Sequence, residues 1–249
     1  MRVAVAGGTG LVGRYVESAL SDAGHVPITL ARATGFDITT GDGLNAALVG
    51  AQAVIDVSNV TTRKKDESIA FFEAGTRNLL DAGERAGVQH HIILSIAGVD
   101  RVDFGYYFGK RRQEELALAS GRPVSILRAT QFYEFAGQLL DRARGPIAMV
   151  PRMLTAPVAA REVADALVAL LDQEPLGLAA EFGGPQEREL TDLARAVLTA
   201  RRSKKLLFRV RVPGPAGKAM TGGALLPIGS GPRGQQTFDN WLASSALVA

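Results

Sequence analysis

The sequence predicts an α/β protein built on a doubly wound parallel sheet, and three observations carry that prediction. Short apolar runs rich in β-branched residues alternate with longer stretches of helical periodicity through the first 145 residues. The first run and the first helical stretch are joined by a glycine-rich turn, Gly7-Gly8-Thr9-Gly10-Leu11-Val12-Gly13. Glycines stand where crossovers must turn, as at Gly24 and Gly87.

In order, Arg2 to Ala6 forms the first strand, and Val12, Val16, Ala19 and Leu20 recur at helical spacing behind the glycine turn. Val26 to Leu30 is the second strand, and a third short one is expected near Phe36-Asp37-Ile38. Ala51 to Val57 follows as a strand ending at Ser58-Asn59. A long helix then runs from about Asp66 to Ala86, with Ile69, Phe72, Thr76, Leu79 and Leu80 on one face. His91 to Leu94 is the next strand, followed by a helix over 106–119, a strand over Val124 to Leu127 and a helix over 132–143. Right-handed crossovers place such helices on both faces of the sheet. The expected division is a Rossmann-like nucleotide-binding domain over 1–145 and a smaller, interleaved substrate-binding region over 146–249. In that second part helices are expected over 161–171 and 189–201, and a strand ending at Glu181-Phe182-Gly183-Gly184-Pro185. Residues 213–234 are expected to be irregular, with Trp241 anchoring a last helix.

The bulk composition narrows the chemistry. With 47% hydrophobic and 21% charged residues, the chain has the make-up of an ordinary globular protein. Zero cysteines remove disulfides, thiol catalysis and thiolate metal sites, and three histidines show no metal-ligand spacing. The net charge is only +3, and the densest basic run, Arg201-Arg202-Ser203-Lys204-Lys205, reads as a solvated helix end. Neither a nucleic-acid nor a membrane partner is therefore expected. Without a leader or a long apolar stretch, the expected location is the cytoplasm.

Two motifs carry function. Gly8-x-Gly10-x-x-Gly13 and Gly7-x-x-Gly10-x-x-Gly13 both fit the turn that seats a dinucleotide pyrophosphate. The backbone of Gly7, Thr9, Gly10, Leu11, Val12 and Gly13 would cradle the phosphates at a helix N-terminus. The second strand ends Leu30-Ala31-Arg32, where an NAD-selective site carries a carboxylate. A guanidinium there matches a 2′-phosphate, so NADP(H) is the preferred cofactor and NAD(H) the second. Asp37, with Ile38 beside it, is placed at the adenine. The second motif is Tyr106-x-x-x-Lys110, one helical turn apart. A neighbouring ammonium lowers a phenol's pKa, which would tune Tyr106 to give a proton to a carbonyl oxygen as hydride reaches the carbon. Lys110 would also hold the nicotinamide ribose.

Together these stretches resemble the short-chain dehydrogenase/reductase superfamily, specifically atypical or extended-type members of the NmrA-like NAD(P)-binding group. The resemblance also rests on Gly75-Thr76-Arg77-Asn78-Leu79-Leu80, Leu94-Ser95-Ile96-Ala97-Gly98-Val99-Asp100 and Leu127-Arg128-Ala129-Thr130-Gln131-Phe132, and it covers residues 1 to 135. It implies that Val57-Ser58-Asn59 borders the adenosine and ribose. It also implies that Ala129 to Phe132 passes the nicotinamide, leaving Phe132 and Tyr133 near a small-molecule substrate. Phe135 and Met149 are further candidates for pocket walls. Active members pair the tyrosine with a Ser or Thr just past the fifth strand. Ile96 and Ala97 stand there in this chain, leaving Ser95 as the nearby hydroxyl. The implied activity is NADPH-dependent reduction of a hydrophobic carbonyl or quinone-like molecule, the alternative being a non-catalytic NADP(H) sensor of the NmrA type. The long helices of such folds pair across two-fold axes, which allows a homodimer.

Overall fold

The structure is a computed structural model that describes residues 1–244. Its elements are β1 (Arg2–Ala6), α1 (Leu11–Asp22), β2 (Val26–Leu30), α2 (Leu44–Ala47), β3 (Ala53–Asp56), α3 (Lys65–Ala86), β4 (His90–Ile96), α4 (Gly105–Ala119), β5 (Val124–Ala129) and α5 (Glu134–Arg142). There follow β6 (Ile147–Pro151), β7 (Leu154–Thr155), α6 (Ala160–Ala169), β8 (Gly177–Leu178), β9 (Arg188–Glu189), α7 (Leu190–Ala200), β10 (Leu206–Val210), α8 (Gly214–Thr221) and α9 (Phe238–Ser244).

The chain forms two compact units, each drawn from three segments. The first comprises Met1–Ser95, Phe104–Arg128 and Arg161–Ala179; the second comprises Ile96–Asp103, Ala129–Ala160 and the chain from Ala180 onward. The first unit holds a six-stranded sheet in the order β2-β1-β3-β4-β5-β8. The pairs β1–β2, β1–β3, β3–β4 and β5–β8 run parallel. Strand order reverses at β1, whose neighbours are β2 on one side and β3 on the other, and ligands of such sheets bind at that switch point. Every residue of β3 and β5 is buried, and both are largely apolar; the exceptions are partnered, Asp56 with Gln113, Ser125 with His90 and Arg128 with Glu114. Ala4, Leu30, Leu48, Val54 and Leu79 close the core on one side of this unit, and Leu80, Ile93, Val124 and Ile126 form a second cluster.

α3 and α4 pack closely because glycines remove what would collide. A methyl group on Gly109 would strike the backbone of Ser68, and one on Gly105 would strike the carbonyl of Arg63. Ser68 Oγ in turn donates to the carbonyl of Tyr106 at 2.8 Å, fixing the register of the two helices.

In the second unit, β6 and β10 pair in parallel as a separate ribbon, and β7 pairs with β9 antiparallel. Tyr133, Phe238 and Trp241 form its aromatic core, with Tyr133 and Trp241 each about 5.5 Å from Phe238 between ring centroids. Trp241 thus anchors the last helix, as its composition suggested.

Three expectations are corrected. No strand forms at Phe36-Asp37-Ile38; the segment is a chain of turns with Gly35, Gly41 and Gly43 all at positive φ. Asp37 there prefers its local partner Thr39 over a sheet ladder. Residues 214–221 form α8 within a stretch expected to be irregular, because Pro215 sits in the first turn, where a missing N–H costs nothing. The strand expected to end at Glu181-Phe182-Gly183-Gly184-Pro185 stops at Leu178, and Phe182 and Gly183 make only isolated bridges, to Ala129 and Arg233; the pair β6 and β10 is additional.

Candidate active site

The glycine turn is built as its spacing requires. Gly7 sits at φ +82, where only glycine is unstrained, and a Cβ there would lie 2.9 Å from the Ser58 Cα. The loop after β3 therefore crosses directly against the turn. A methyl group on Gly13 would drive into the Gly7 carbonyl, so this glycine sets the approach of α1 to β1. Gly10 N–H donates to the Gly7 carbonyl at 2.9 Å, and no side chain caps α1. Its first-turn N–H groups are thus left for an external acceptor, with Thr9 and Gly10 exposed and Leu11 half-buried around them. Val12 is buried and serves packing as well. Backbone donors, a positive helix end and absent side chains are what a pyrophosphate needs, so these residues fit a dinucleotide.

Two arginines flank this cradle. Arg32 is exposed in the 3₁₀ turn that follows β2. Arg14, which the motif reading passed over, donates to the Thr9 carbonyl at 2.7 Å and pins the turn. Asp37 takes the Thr39 N–H at 2.8 Å and its hydroxyl at 2.6 Å on one oxygen. The Thr39 hydroxyl, foremost, holds this carboxyl below its ordinary range. Ile38 is a core residue lying under Gly75, and its carbonyl accepts from Asn78 Nδ2 at 2.9 Å, so its side chain is not available to a ligand.

The tyrosine and lysine are both on α4, but they face different surroundings. The half-buried Tyr106 donates its hydroxyl to Asn59 Oδ1 at 2.6 Å. Lys110 is buried and donates to the Leu94 carbonyl at 2.6 Å and to Gln113 Oε1 at 2.5 Å. Gln113 Nε2 donates to Asp56 Oδ2 at 2.8 Å, and the other Asp56 oxygen accepts the Ser58 N–H at 2.9 Å. A buried relay thus runs from α4 to the loop holding Ser58 and Asn59, and Gln113 and Asp56 are the members that sequence motifs did not reveal. A carboxylate at the end of β3 and an amide three residues after Lys110 were the available signals.

The electrostatics reverse one expectation. Burial foremost, then Tyr107 and Asp56, pushes the Tyr106 phenol above its usual range instead of below it. Lys110 is not the influence that sets this phenol, because its amine is turned to Leu94 and Gln113. Burial lowers the Lys110 ammonium to about 8, against the pull of Asp56 and Glu114. Ser95 is buried in β4, and its Oγ has no hydrogen-bond partner among the described residues.

The remaining candidates lie in the second unit. Ala129 bridges to Phe182 and Phe132 to Val158. Tyr133 is 1% exposed and donates its hydroxyl to the Gln236 carbonyl at 2.5 Å, which makes it a packing residue. Phe135 is half-buried, and Met149 lies open on β6, not in a pocket wall.

Residues 7–174 match the family model described as NAD(P)H-binding. The chain belongs to this family. It is an NAD(P)-binding protein of an oxidoreductase family. Over 84% of its length it is 29% identical to a (4-alkanoyl-5-oxo-2,5-dihydrofuran-3-yl)methyl phosphate reductase of Streptomyces griseus, covering 73% of that protein. It is 26% identical to a ceramide reductase of Caulobacter vibrioides, with 99% of this chain and 87% of the relative covered. Its fold matches a short-chain dehydrogenase/reductase superfamily protein of Agrobacterium tumefaciens solved with NAD. That match has a TM-score of 0.71 at 20% identity and covers 100% and 97% of the two chains. Among the described residues no helix is long and apolar enough to cross a membrane, and no side-chain cluster is suited to hold a metal.

Proposed function

We propose that this chain reduces a hydrophobic carbonyl or quinone-like small molecule with NADPH, and that Tyr106 is the proton donor. One observation carries the reading: the Tyr106 hydroxyl is held by Asn59, one residue from the Ser58 backbone that lies against the glycine turn. When bound, the dinucleotide supplies the hydride equivalent. The raised phenol stays protonated at neutral pH, which suits it to donate to a developing alkoxide. Lys110 acts from beneath, holding the end of β4 through Leu94 and the β3 loop through Gln113 and Asp56. Ser95, whose hydroxyl has no partner among the described residues, is the group we assign to orient the substrate oxygen. Arg32 is the group that favours the 2′-phosphate of NADPH. The names of the two reductase relatives, one for a phosphate ester that carries an alkanoyl group and one for ceramide, support a substrate with an apolar chain.

The test follows cofactor absorbance against ketones, aldehydes and quinones, with Tyr106→Phe beside the unaltered chain. Turnover is expected to fall by about 10²-fold or more with NADPH binding unchanged. NADPH binding with no turnover on any of them would instead favour the NmrA-type sensor. The closure of Tyr106 on Asn59 and of Lys110 on Leu94 is the observation that keeps that second reading in play.

A further inference from the structure

The ribbon of β6 and β10 has two unlike faces. Ala148 and Val150 are buried on the inner one, where the ribbon packs on α5 and α7. On the outer face Ile147 is 47% exposed, Met149 70%, Leu206 61% and Phe208 53%. Parallel register sets Leu206 opposite Ile147 and Phe208 opposite Met149, so the four side chains form one apolar square. They are four of the eleven large apolar side chains left exposed among the described residues, and Met149 is the most exposed of all. Scattered exposed apolar residues are ordinary, but a contiguous set marks a contact surface.

The charge around that square is one-sided. Segments 142–152 and 201–211, which build the ribbon and its flanks, hold nine of the chain's 28 basic residues and none of its 25 acidic ones. The chain's net charge is only +3, so everything outside these segments is net acidic. Arg201 is paired with Asp141, Arg152 with Glu189, and Lys205 caps α5 through the Leu140 and Ala143 carbonyls. The other six, Arg142, Arg144, Arg202, Lys204, Arg209 and Arg211, are exposed and have no carboxylate partner among the described residues. Because the strands are parallel, their basic flanks gather at common ends. The Leu206 N–H donates to the Pro146 carbonyl at 2.7 Å, which brings the entries of Arg144 and Lys204 together. Arg209, in register with Val150, alternates onto the inner side of the ribbon, and Arg211 follows beyond its end.

We propose that this ribbon docks the protein on an anionic lipid surface. The four apolar side chains enter the headgroup boundary, and the surrounding guanidinium and ammonium groups pair with lipid phosphates and carboxylates. Lysine and arginine on an edge strand also discourage aggregation, but that role would leave the apolar square unexplained. A second copy seated face to face would set these cations against themselves, since an isologous contact repeats the same patch. Docking of this kind needs no spanning helix, and it would bring an enzyme of apolar substrates to the phase where they partition.

The test is flotation of the full chain with phosphatidylcholine vesicles, with and without phosphatidylserine. Binding is expected only with phosphatidylserine present, and it should weaken as salt rises. The double variant Met149→Ser/Phe208→Ser should bind about tenfold less at the same salt, and Arg144→Glu/Lys204→Glu should lose binding. Both variants should melt with the parent and bind NADPH as it does, because every altered side chain is exposed. Absence of phosphatidylserine-dependent flotation overturns the proposal. Flotation indifferent to Met149 and Phe208, with equal capture by an RNA homopolymer, overturns it in favour of simple polyanion binding. A dimer in solution that the Phe208 change dissociates overturns it in favour of self-association.

Discussion

The glycine turn of the first unit and the β6–β10 ribbon of the second handle exposed chain in opposite ways. At the turn, side chains are absent so that chain can approach chain: Gly7 admits Ser58, Gly13 admits the Gly7 carbonyl, and the first-turn N–H groups of α1 are left without a side-chain cap. On the ribbon the backbone is paired and the side chains are left open, apolar at the centre and cationic at the ends. The first arrangement suits a small anion recognised by main-chain geometry, and the second a broad surface recognised by area and charge. Substitutions should therefore be severe at the turn and almost silent for stability on the ribbon.

The largest expected effect is at Gly13. A valine there must displace Gly7 and Gly8, so Gly13→Val should abolish dinucleotide binding and cost about 3 kcal/mol of stability. Denaturant unfolding and cofactor titration would measure both, and a Gly13→Val protein of parental stability would break the contrast.

Removing Asp56 from the relay is expected to cost nearly as much. Asp56→Ala leaves the Gln113 amide and the Ser58 N–H without their acceptor and withdraws the nearest counter-charge from buried Lys110. About 3 kcal/mol is expected, read from the same unfolding curves.

The relay also has a pH signature. Lys110 is lowered to about 8 in the folded chain from an ordinary 10.5. Between those values the unfolded chain binds the extra proton, so this residue's contribution to stability rises with pH from about 8 to 10.5. The neutral amine still carries two N–H donors for Leu94 and Gln113. Relative to Lys110→Met, the parent should gain stability across that window; a constant difference would sink the assignment.

A smaller effect is expected at Arg32, where the proposed interaction is with one phosphate. Arg32→Ala should weaken NADPH binding by about 1.5–3 kcal/mol and leave NADH binding nearly unchanged, as isothermal titration would show. Equal losses for both cofactors would remove this residue from the selectivity argument. Smallest of all, Met149→Ser and Phe208→Ser should each change stability by less than about 0.5 kcal/mol, because each residue is more than half exposed. A greater loss would show that the outer face is covered in the isolated protein.

The sequence by itself determined whatever short-range rules control. β1, the turn at 7–13, β2 and the stop of α3 at Gly87 all follow from β-branched runs, glycine spacing and a helix cap, each decided within a few residues of chain. The same rules named Tyr106 and Lys110 as partners, because four positions on a helix make one turn. Tertiary structure decided what each partner faces. Lys110 is turned inward because an uncompensated charge cannot be buried, and Leu94, Gln113 and Asp56, distant in sequence, are what satisfy it. Tyr106 is raised rather than lowered for the same reason, since burial outweighs any influence along the helix. Tyr133 passed from substrate candidate to core once Phe238, Trp241 and Gln236 closed on it from more than a hundred residues away. The basic run at 201–205 looked solvated and incidental until strand pairing placed it beside Arg144 and an apolar square. Hydrophobic periodicity reports which face of an element is buried, but only packing reports which distant residues share that face, and both charge and function depend on the latter.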